Sequence, residues 1–451
     1  MTVAPRPALG ADDADRRTTS RLGGSPAWAR PVAVLVATVA LVVTIAWGQR
    51  FVRNGDDLFL WAPPFVGEWQ VLWSPGLWWA LVLAVVLLTW WVPAVERLRW
   101  GGVLAGSAVF ALAWPVVLQA SEGWTSLYTV LGNQRAYLPT AQAIDSPLDF
   151  LRTFVAELPE RPTHVKGHPP GATLVHWFFD RIGGGRSDVL TAGFLLIAAS
   201  AAPAALIALD RIAGRDAARR AAVFVGLAPA VIWTASSPDA LFMGVLAWAV
   251  ALGAVALTAT GRGAWVAGLG AGLLAGLSLS FSYGAMLLLA PLWALAVLAV
   301  RRGRWQRLVP AGLGLAAVLL AFTAAGFNWF DGLAATRTAY LAGVAPRRPD
   351  RYFVLSNLAV TAVSIGPAAV AGLAWLRDRA AWWLVGGAVL GVLAADLSTM
   401  SKGEVERIWL PAVPFLVLAT CAIRGRAARR GWVAAQLAVA LVLQLVLRTP
   451  W

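Results

Sequence analysis

The chain has 451 residues, 59% of them hydrophobic and only 13% charged, with a mean hydropathy of +0.68 and a formal net charge of +14. Soluble domains average about 25% charged residues, so this composition excludes a soluble globular protein and implies a polytopic membrane protein. The single cysteine, Cys421, excludes disulfides and thiolate metal clusters, and arginines confined to short loops between apolar runs reflect positive-inside bias rather than nucleic-acid binding.

Residues 1–30, polar and rich in small side chains, read as a disordered cytoplasmic tail. The remainder, 31–451, reads as one transmembrane domain. The first apolar run, 31–48, is followed by no small-residue cleavage site and is expected to stay as a span. Further runs fall at 76–94, 102–119, 189–209, 219–235, 239–259, 264–282, 284–300, 308–325, 354–376, 381–395, 408–423 and 432–447. The expectation is therefore an all-α bundle of about thirteen spans, each near the 20 residues a bilayer requires.

With the N-terminus inside, the arginine-rich loops "ERLRW", "DRIAGRDAARR", "RRGRWQR", "RDR" and "RGRAARR" all fall on the cytoplasmic side of a cell (plasma) membrane. No ionisable residue is then left deep within a span, where each would cost about 2.5–3.5 kcal/mol. Ion-coupled transporters usually keep such residues at mid-membrane. The chemistry is expected on the outer face, in segments 49–75, 120–188, 326–353 and 396–407. The longest, 120–188, exceeds a passive connection, and short interfacial helices are expected at 148–158 and 171–182. Most of the 25 tryptophans suit interfacial belts. Neither a Walker or Rossmann glycine pattern nor HExxH occurs, so no cofactor and no metal is expected.

One stretch, "THVKGHPPGATLVHWFF" (163–179), holds all three histidines, His164, His168 and His176, and one of only two lysines, Lys166. The other lysine, Lys402, lies in "SKGEVERIWLP" (401–411). An ammonium is a compact charge suited to a phosphate oxygen, whereas arginine favours planar bidentate pairing. In an extended segment His164, Lys166 and His168 would point one way, forming a cationic or hydrogen-bonding ledge before the Pro169-Pro170 bend. The two outer histidines lack a clustered third ligand for a metal, and His176, on an apolar helix, reads as a packing residue.

Deprotonating a hydroxyl acceptor needs a carboxylate that can act as general base. The outer-face acids are Asp56, Asp57, Glu122, Asp145, Asp149, Asp239, Asp396, Glu404 and Glu406. Glu122 directly follows the third span at the entrance to the long loop, while Asp239 reads as a helix cap. Lys402, Glu404, Glu406 and Arg407 cluster at the mouth of one span, as either a ligand site or a solvated ion-pair group. "TRTAYLAGVAPRRPDRYF" adds Arg347 and Arg348, which suit a lipid headgroup or pyrophosphate-like anion as readily as simple charge balance.

The outer loop after an early span, ending in "HPPG" before an amphipathic helix and then "RSDVLTAGFLLIAASAAPAALIALDRIAGRDAARRAA", resembles the GT-C superfamily. These membrane glycosyltransferases use polyprenyl-phosphate sugars and include protein O-mannosyltransferases and the aminoarabinose transferase of lipid A. "THVKGHPPG" together with "SKGEVERIWLP" is similar to GT-C-type integral membrane proteins of actinobacteria, over roughly residues 102–425. In the family an acid near the start of the first large loop is catalytic. Glu122 matches it by position, but no Asp-Glu pair follows the span, and "LGNQRAYL" offers Asn133 and Gln134 instead.

The resemblance implies a hexosyl- or pentosyltransferase acting from a polyprenyl-phosphate sugar on a glycan, lipid or protein acceptor. Glu122 is then the expected base, with His164, Lys166, His168, Arg347, Arg348, Lys402, Glu404 and Arg407 holding substrate. The alternative is a lipid or polysaccharide transporter, or a non-catalytic assembly subunit. The two lysine-bearing loops are expected to share one outer-face cavity.

Overall fold

The computed structural model describes residues 29–56, 58–129, 137–235 and 237–450. Most of the expected N-terminal tail, Asp57, and Asn133 with Gln134 lie outside the described residues. In chain order the principal elements are α1 (Ala29–Arg53), β1 (Glu68–Trp69), α2 (Leu77–Arg97), α3 (Trp100–Ala120), α4 (Pro147–Thr153), α5 (Pro170–Ile182), α6 (Ser187–Ala213) and α7 (Arg215–Ala222). There follow α8 (Asp239–Thr258), α9 (Gly261–Phe281), α10 (Ala290–Arg301), α11 (Leu308–Ala324), α12 (Trp329–Ala342), α13 (Asp350–Trp375), α14 (Trp382–Leu397), α15 (Leu410–Ala422), α16 (Arg426–Val446) and β2 (Leu447–Arg448).

Among the described residues nine helices are long and apolar enough to cross a membrane: α1, α2, α3, α6, α8, α9, α13, α16 and α11 with its leading turn. Three more, α10, α14 and α15, are apolar but shorter. The protein is thus a multi-pass membrane protein built almost wholly from helices. Its outer surface carries large apolar side chains such as Leu35 and Val36 on α1, Leu320 on α11 and Leu390 on α14, all exposed, as a bilayer neighbour demands.

Two expected spans are not long helices, and a third, 284–300, is split at Leu289 into Ala285–Leu288 and Ala290–Arg301. The run 219–235 folds as the end of α7, a turn, and a 3-10 turn at Pro229–Trp233. Gly226, at φ 90°, sits where a Cβ would lie 2.7 Å from the Ala111 Cβ, and Pro229 offers no amide hydrogen. The run 408–423 is broken by Pro411 and Pro414 into 3-10 and α turns. Nearly every described residue of both segments is buried, which is the condition under which irregular backbone survives at membrane depth.

Close helix approach relies on small residues. Gly268, Gly272 and Gly276 repeat every fourth position along α9, and α11 packs directly on that stripe. A Cβ at Gly272 would lie 1.9 Å from the Ala311 carbonyl oxygen. Where α13 kinks, at Gly366 (φ 79°) before Pro367, Gln436 of α16 accepts from the Ala368 amide at 3.1 Å and donates to the Ile365 carbonyl at 2.9 Å. One buried amide side chain thereby satisfies the backbone freed by the break.

The loops sort to two ends of the bundle. At one, Arg219 donates to the Leu98 carbonyl at 2.9 Å, Arg304 to Leu257 at 3.0 Å and Arg220 to Cys421 at 2.6 Å, while Glu96 pairs with Arg426 and Arg429. This basic end gathers the loops predicted to lie together. The opposite end gathers the longer segments, including the two-residue antiparallel pair β1–β2, with Glu68 opposite Arg448. Short helices stand there at both expected places, as α4, ending at Thr153, and α5.

Candidate functional site at the loop-bearing end

A cavity of about 560 Å³ opens at the loop-bearing end. Its floor and walls come from the segment between α9 and α10, the inner face of α12, the end of α14 and the chain leading into α15. Tyr283, Met286, Trp329, Leu333, Tyr340 and Trp409 supply apolar and aromatic lining. Lys166 and His168 enter from one side, and Ser401, Glu404 and Ile408 from the other. The two lysine-bearing loops therefore meet at one cavity, about 240 residues apart in sequence.

The histidine segment is not extended. Thr163–Lys166 is a helical turn, so His164 and His168 are related by a turn rather than by a strand pleat. The ring nitrogen Nδ1 of His168 lies 3.0 Å from the His164 carbonyl oxygen. A carbonyl only accepts, so Nδ1 carries the hydrogen. Burial pushes the His168 imidazole below the ordinary histidine pKa, although the nearby carboxylates of Asp239 and Glu404 oppose that shift. Lys166 donates one N–H to the Pro159 carbonyl at 2.7 Å, and Thr336 donates to the Lys166 carbonyl at 3.1 Å, tying the turn to α12.

Tyr137 organises this region. Its ring stacks on His176 with centroids 4.8 Å apart, meets His168 edge-on at 5.6 Å and lies 6.1 Å from His164. His176 is wholly buried, donates Nδ1–H to Ala172 at 2.7 Å and leaves Nε2 without a hydrogen-bond partner. Burial drives its pKa down to about 4, so it is a neutral packing residue, as its apolar helix implied. No sequence signal marks Tyr137, because its partners arrive through tertiary packing alone.

Beneath the cavity Arg407 bridges two carboxylates. It donates to Asp239 at 2.8 Å and pairs with Glu404, and Ser237 donates to the same Asp239 oxygen at 2.8 Å. Arg407 and Asp239 are almost completely buried, while Glu404 keeps a side open. Asp239 is the first residue of α8, and the cap position belongs to Pro238. Its carboxylate serves the arginine instead of the helix end. Glu404 adopts the left-handed region, φ 61°, directly after Gly403 at φ 86°, a conformation that costs a non-glycine residue of order 1 kcal/mol or more.

The remaining expected residues are placed differently. Lys402 does not line the cavity. Its ammonium donates to the Ala345 and Arg348 carbonyls, each at 2.9 Å, and pairs with Asp350 at 2.6 Å, which occupies all three N–H groups. Arg348 lines the cavity, yet its guanidinium donates to the Leu58, Phe59 and Lys402 carbonyls. Both residues fasten loops. Arg347 is exposed, stacked 4.7 Å over Phe59. Asn357 of α13 ties down the 398–404 segment, donating to Asp396 and Ser401 and accepting from the Gly403 amide.

Glu122 stands apart from the cavity. It follows α3 and accepts from Gln444 at 2.7 Å and from Arg448 at 2.8 Å, beside the β1–β2 pair. Burial raises its pKa and Arg448 works against that shift. Among the described residues no group of three or more His, Cys, Asp or Glu is arranged to hold a metal ion. No protein-family model matches the sequence, and no curated protein matches it.

Proposed function

We propose that the protein is an integral membrane glycosyltransferase of GT-C type. In this reading it moves a sugar from a polyprenyl-phosphate donor to a glycan, lipid or protein acceptor at the loop-bearing end, on the extracytoplasmic face of the cell membrane. The observation that carries the reading is the cavity in which the His164–His168 turn and the 401–409 segment converge. It joins an aromatic and aliphatic lining to a few titratable groups, the combination a lipid-borne sugar requires. Among the described residues nine helices are long and apolar enough to cross a membrane and three more are apolar but shorter, in keeping with a polytopic membrane domain.

The donor's prenyl chain would lie along Met286 and Leu287, and its sugar beside Tyr340 and Trp409. Lys166, with two N–H groups uncommitted to Pro159, would meet the phosphate. Arg347 is exposed and would receive the headgroup on entry. Transfer in one displacement forms the bond from acceptor oxygen to the anomeric carbon. The same step breaks the bond to phosphate oxygen and releases polyprenyl phosphate. Cationic contacts that strengthen as charge moves onto the phosphate lower the barrier without a nucleotide fold.

The test is incubation of purified protein with synthetic polyprenyl-phosphate sugars and envelope acceptors. Release of polyprenyl phosphate coupled to a glycosylated acceptor is the expected result. Donor that binds, or crosses a vesicle bilayer, with its sugar–phosphate bond intact would assign the cavity to a lipid transporter instead.

A further inference from the structure

A displacement at the anomeric carbon leaves the acceptor's proton to be removed, and Glu122 lies elsewhere. Two titratable groups besides Lys166 reach the cavity and can accept a proton: Glu404 and His168. Glu404 already commits a carboxylate oxygen to the buried Arg407 guanidinium. His168 is differently held. Its Nδ1–H is spent on the His164 carbonyl, so in the neutral ring the lone pair resides on Nε2. The contrast with His176 is informative: both rings donate Nδ1–H to a carbonyl four residues earlier, but His176 is fully buried, whereas His168 is half-buried and lines the cavity.

We propose, resting on the transferase reading, that His168 is the catalytic proton acceptor, its tautomer fixed by the His164 carbonyl and its Nε2 turned to the cavity. As the acceptor oxygen attacks the anomeric carbon, its proton passes to Nε2, and the electron pair of the breaking bond leaves with the phosphate. The imidazolium later returns its proton to water. The groups facing the ring are Tyr137, Phe242 of α8, Asp239, Glu404 and Arg407. His164 shares its turn, and His176 lies on α5 behind Tyr137. Two carboxylates against one guanidinium leave a net negative cluster beneath the ring. That cluster offsets the imidazolium as it forms, while burial keeps the resting ring neutral. Arg407 is a positioning residue here, holding both carboxylates within reach.

The chain's three histidines make the test direct. Imidazole 15N spectra of histidine-labelled full-length protein in detergent give three ring systems, assignable by H164N, H168N and H176N. The expected result is a neutral Nδ1–H tautomer for His168 at pH 7. In parallel, H168Q should lower kcat by about 10²–10⁴-fold at little changed donor KM and abolish the acidic limb of the pH–rate profile. A His168 that is cationic at pH 7 or carries its proton on Nε2 overturns the proposal, without depending on whether the variant folds. So does a parent that transfers sugar while H168Q keeps its rate and its acidic limb. A parent that binds donor and transfers nothing overturns the transferase reading, and this proposal with it.

Discussion

Charge is handled in opposite ways at the two ends of the bundle. At the basic end, arginines donate to backbone carbonyls near the helix ends and to surface carboxylates: Arg219 to Leu98, Arg304 to Leu257, Arg215 to Asp210 at 2.8 Å. The space left there, about 230 Å³, is lined chiefly by Glu96, Asp216, Arg219, Arg220 and Arg429 around three valines. At the loop-bearing end a single arginine, Arg407, is sunk between two acids, and above it lies a cavity of about 560 Å³ with aromatic walls. Solvated charges at helix ends need no special geometry. A buried charge survives only when it is paired and hydrogen-bonded, so the cost of burying Arg407 is a mark of what that end is built to hold.

The sharpest way to break this comparison is to remove Arg407. Arg407→Met leaves Asp239 and Glu404 facing each other without a cation, and breaking such a buried pair costs about 3–5 kcal/mol. Thermal unfolding in detergent should show that loss. Adding Asp239→Asn should restore part of it, because the buried charge goes with its partner. A loss below about 1 kcal/mol would place Arg407 with the surface arginines of the other end.

Composition and loop charge made much of the fold legible. The nine long helices and the grouping of the basic loops follow from apolar run length and arginine placement. The broken segments do not show in hydropathy, because 219–235 and 408–423 are apolar runs near spanning length and hydropathy does not register that Gly226, Pro229, Pro411 and Pro414 interrupt the ladder. At the site, rarity picked out Lys166 and His168, which line the cavity, and also Lys402, which does not. Rarity signals constraint without saying whether the constraint is chemical or architectural. Tyr137 meets the histidine rings only through tertiary packing, and the Asp239–Arg407 pair joins residues 168 apart, so no local pattern records either.

The histidines offer a second comparison, read through pH. Burial holds His176 down to about 4 against an ordinary value of 6.5, so between those values the unfolded chain binds more protons than the folded one. Its contribution is fully present above pH 6.5 and is lost as pH falls toward 4, amounting to about 3 kcal/mol over the window. Melting temperature in detergent should therefore fall with acidification across that range. His176→Phe, which removes the titrating group and keeps an aromatic ring beside Tyr137, should flatten the fall. An unchanged slope in that variant would assign the acid sensitivity to other groups.

The two lysines separate architecture from chemistry within the loop-bearing end. Lys402→Met removes the donor shared by Ala345, Arg348 and Asp350, leaving two carbonyls under-satisfied, for about 1–3 kcal/mol of stability. Lys166→Met loses one bond to Pro159 at a half-buried site and should cost about 1 kcal/mol or less, yet weaken binding of a polyprenyl-phosphate donor. Unfolding and donor-binding measurements on both variants decide the matter. A Lys402→Met protein that melts normally and binds donor poorly would return that lysine to the ligand.

The smallest effect belongs to the basic end. Arg426 is half exposed, its guanidinium shares Glu96 with Arg429, and Glu96 is itself about a third exposed. Removing Arg426 leaves the carboxylate paired with the more buried Arg429 and close to water, so no charge is stranded. Solvent screening limits exposed pairs to about 0–1 kcal/mol, and added salt reduces even that. Arg426→Ala should accordingly lower stability by less than about 1 kcal/mol, with a difference that shrinks between low salt and about 0.5 M salt. Thermal unfolding at the two salt concentrations measures it. A loss comparable with that of Arg407→Met and insensitive to salt would mean that Glu96 and its arginines form a desolvated cluster as well. The contrast between a charge-sealed end and a charge-buried end would then disappear.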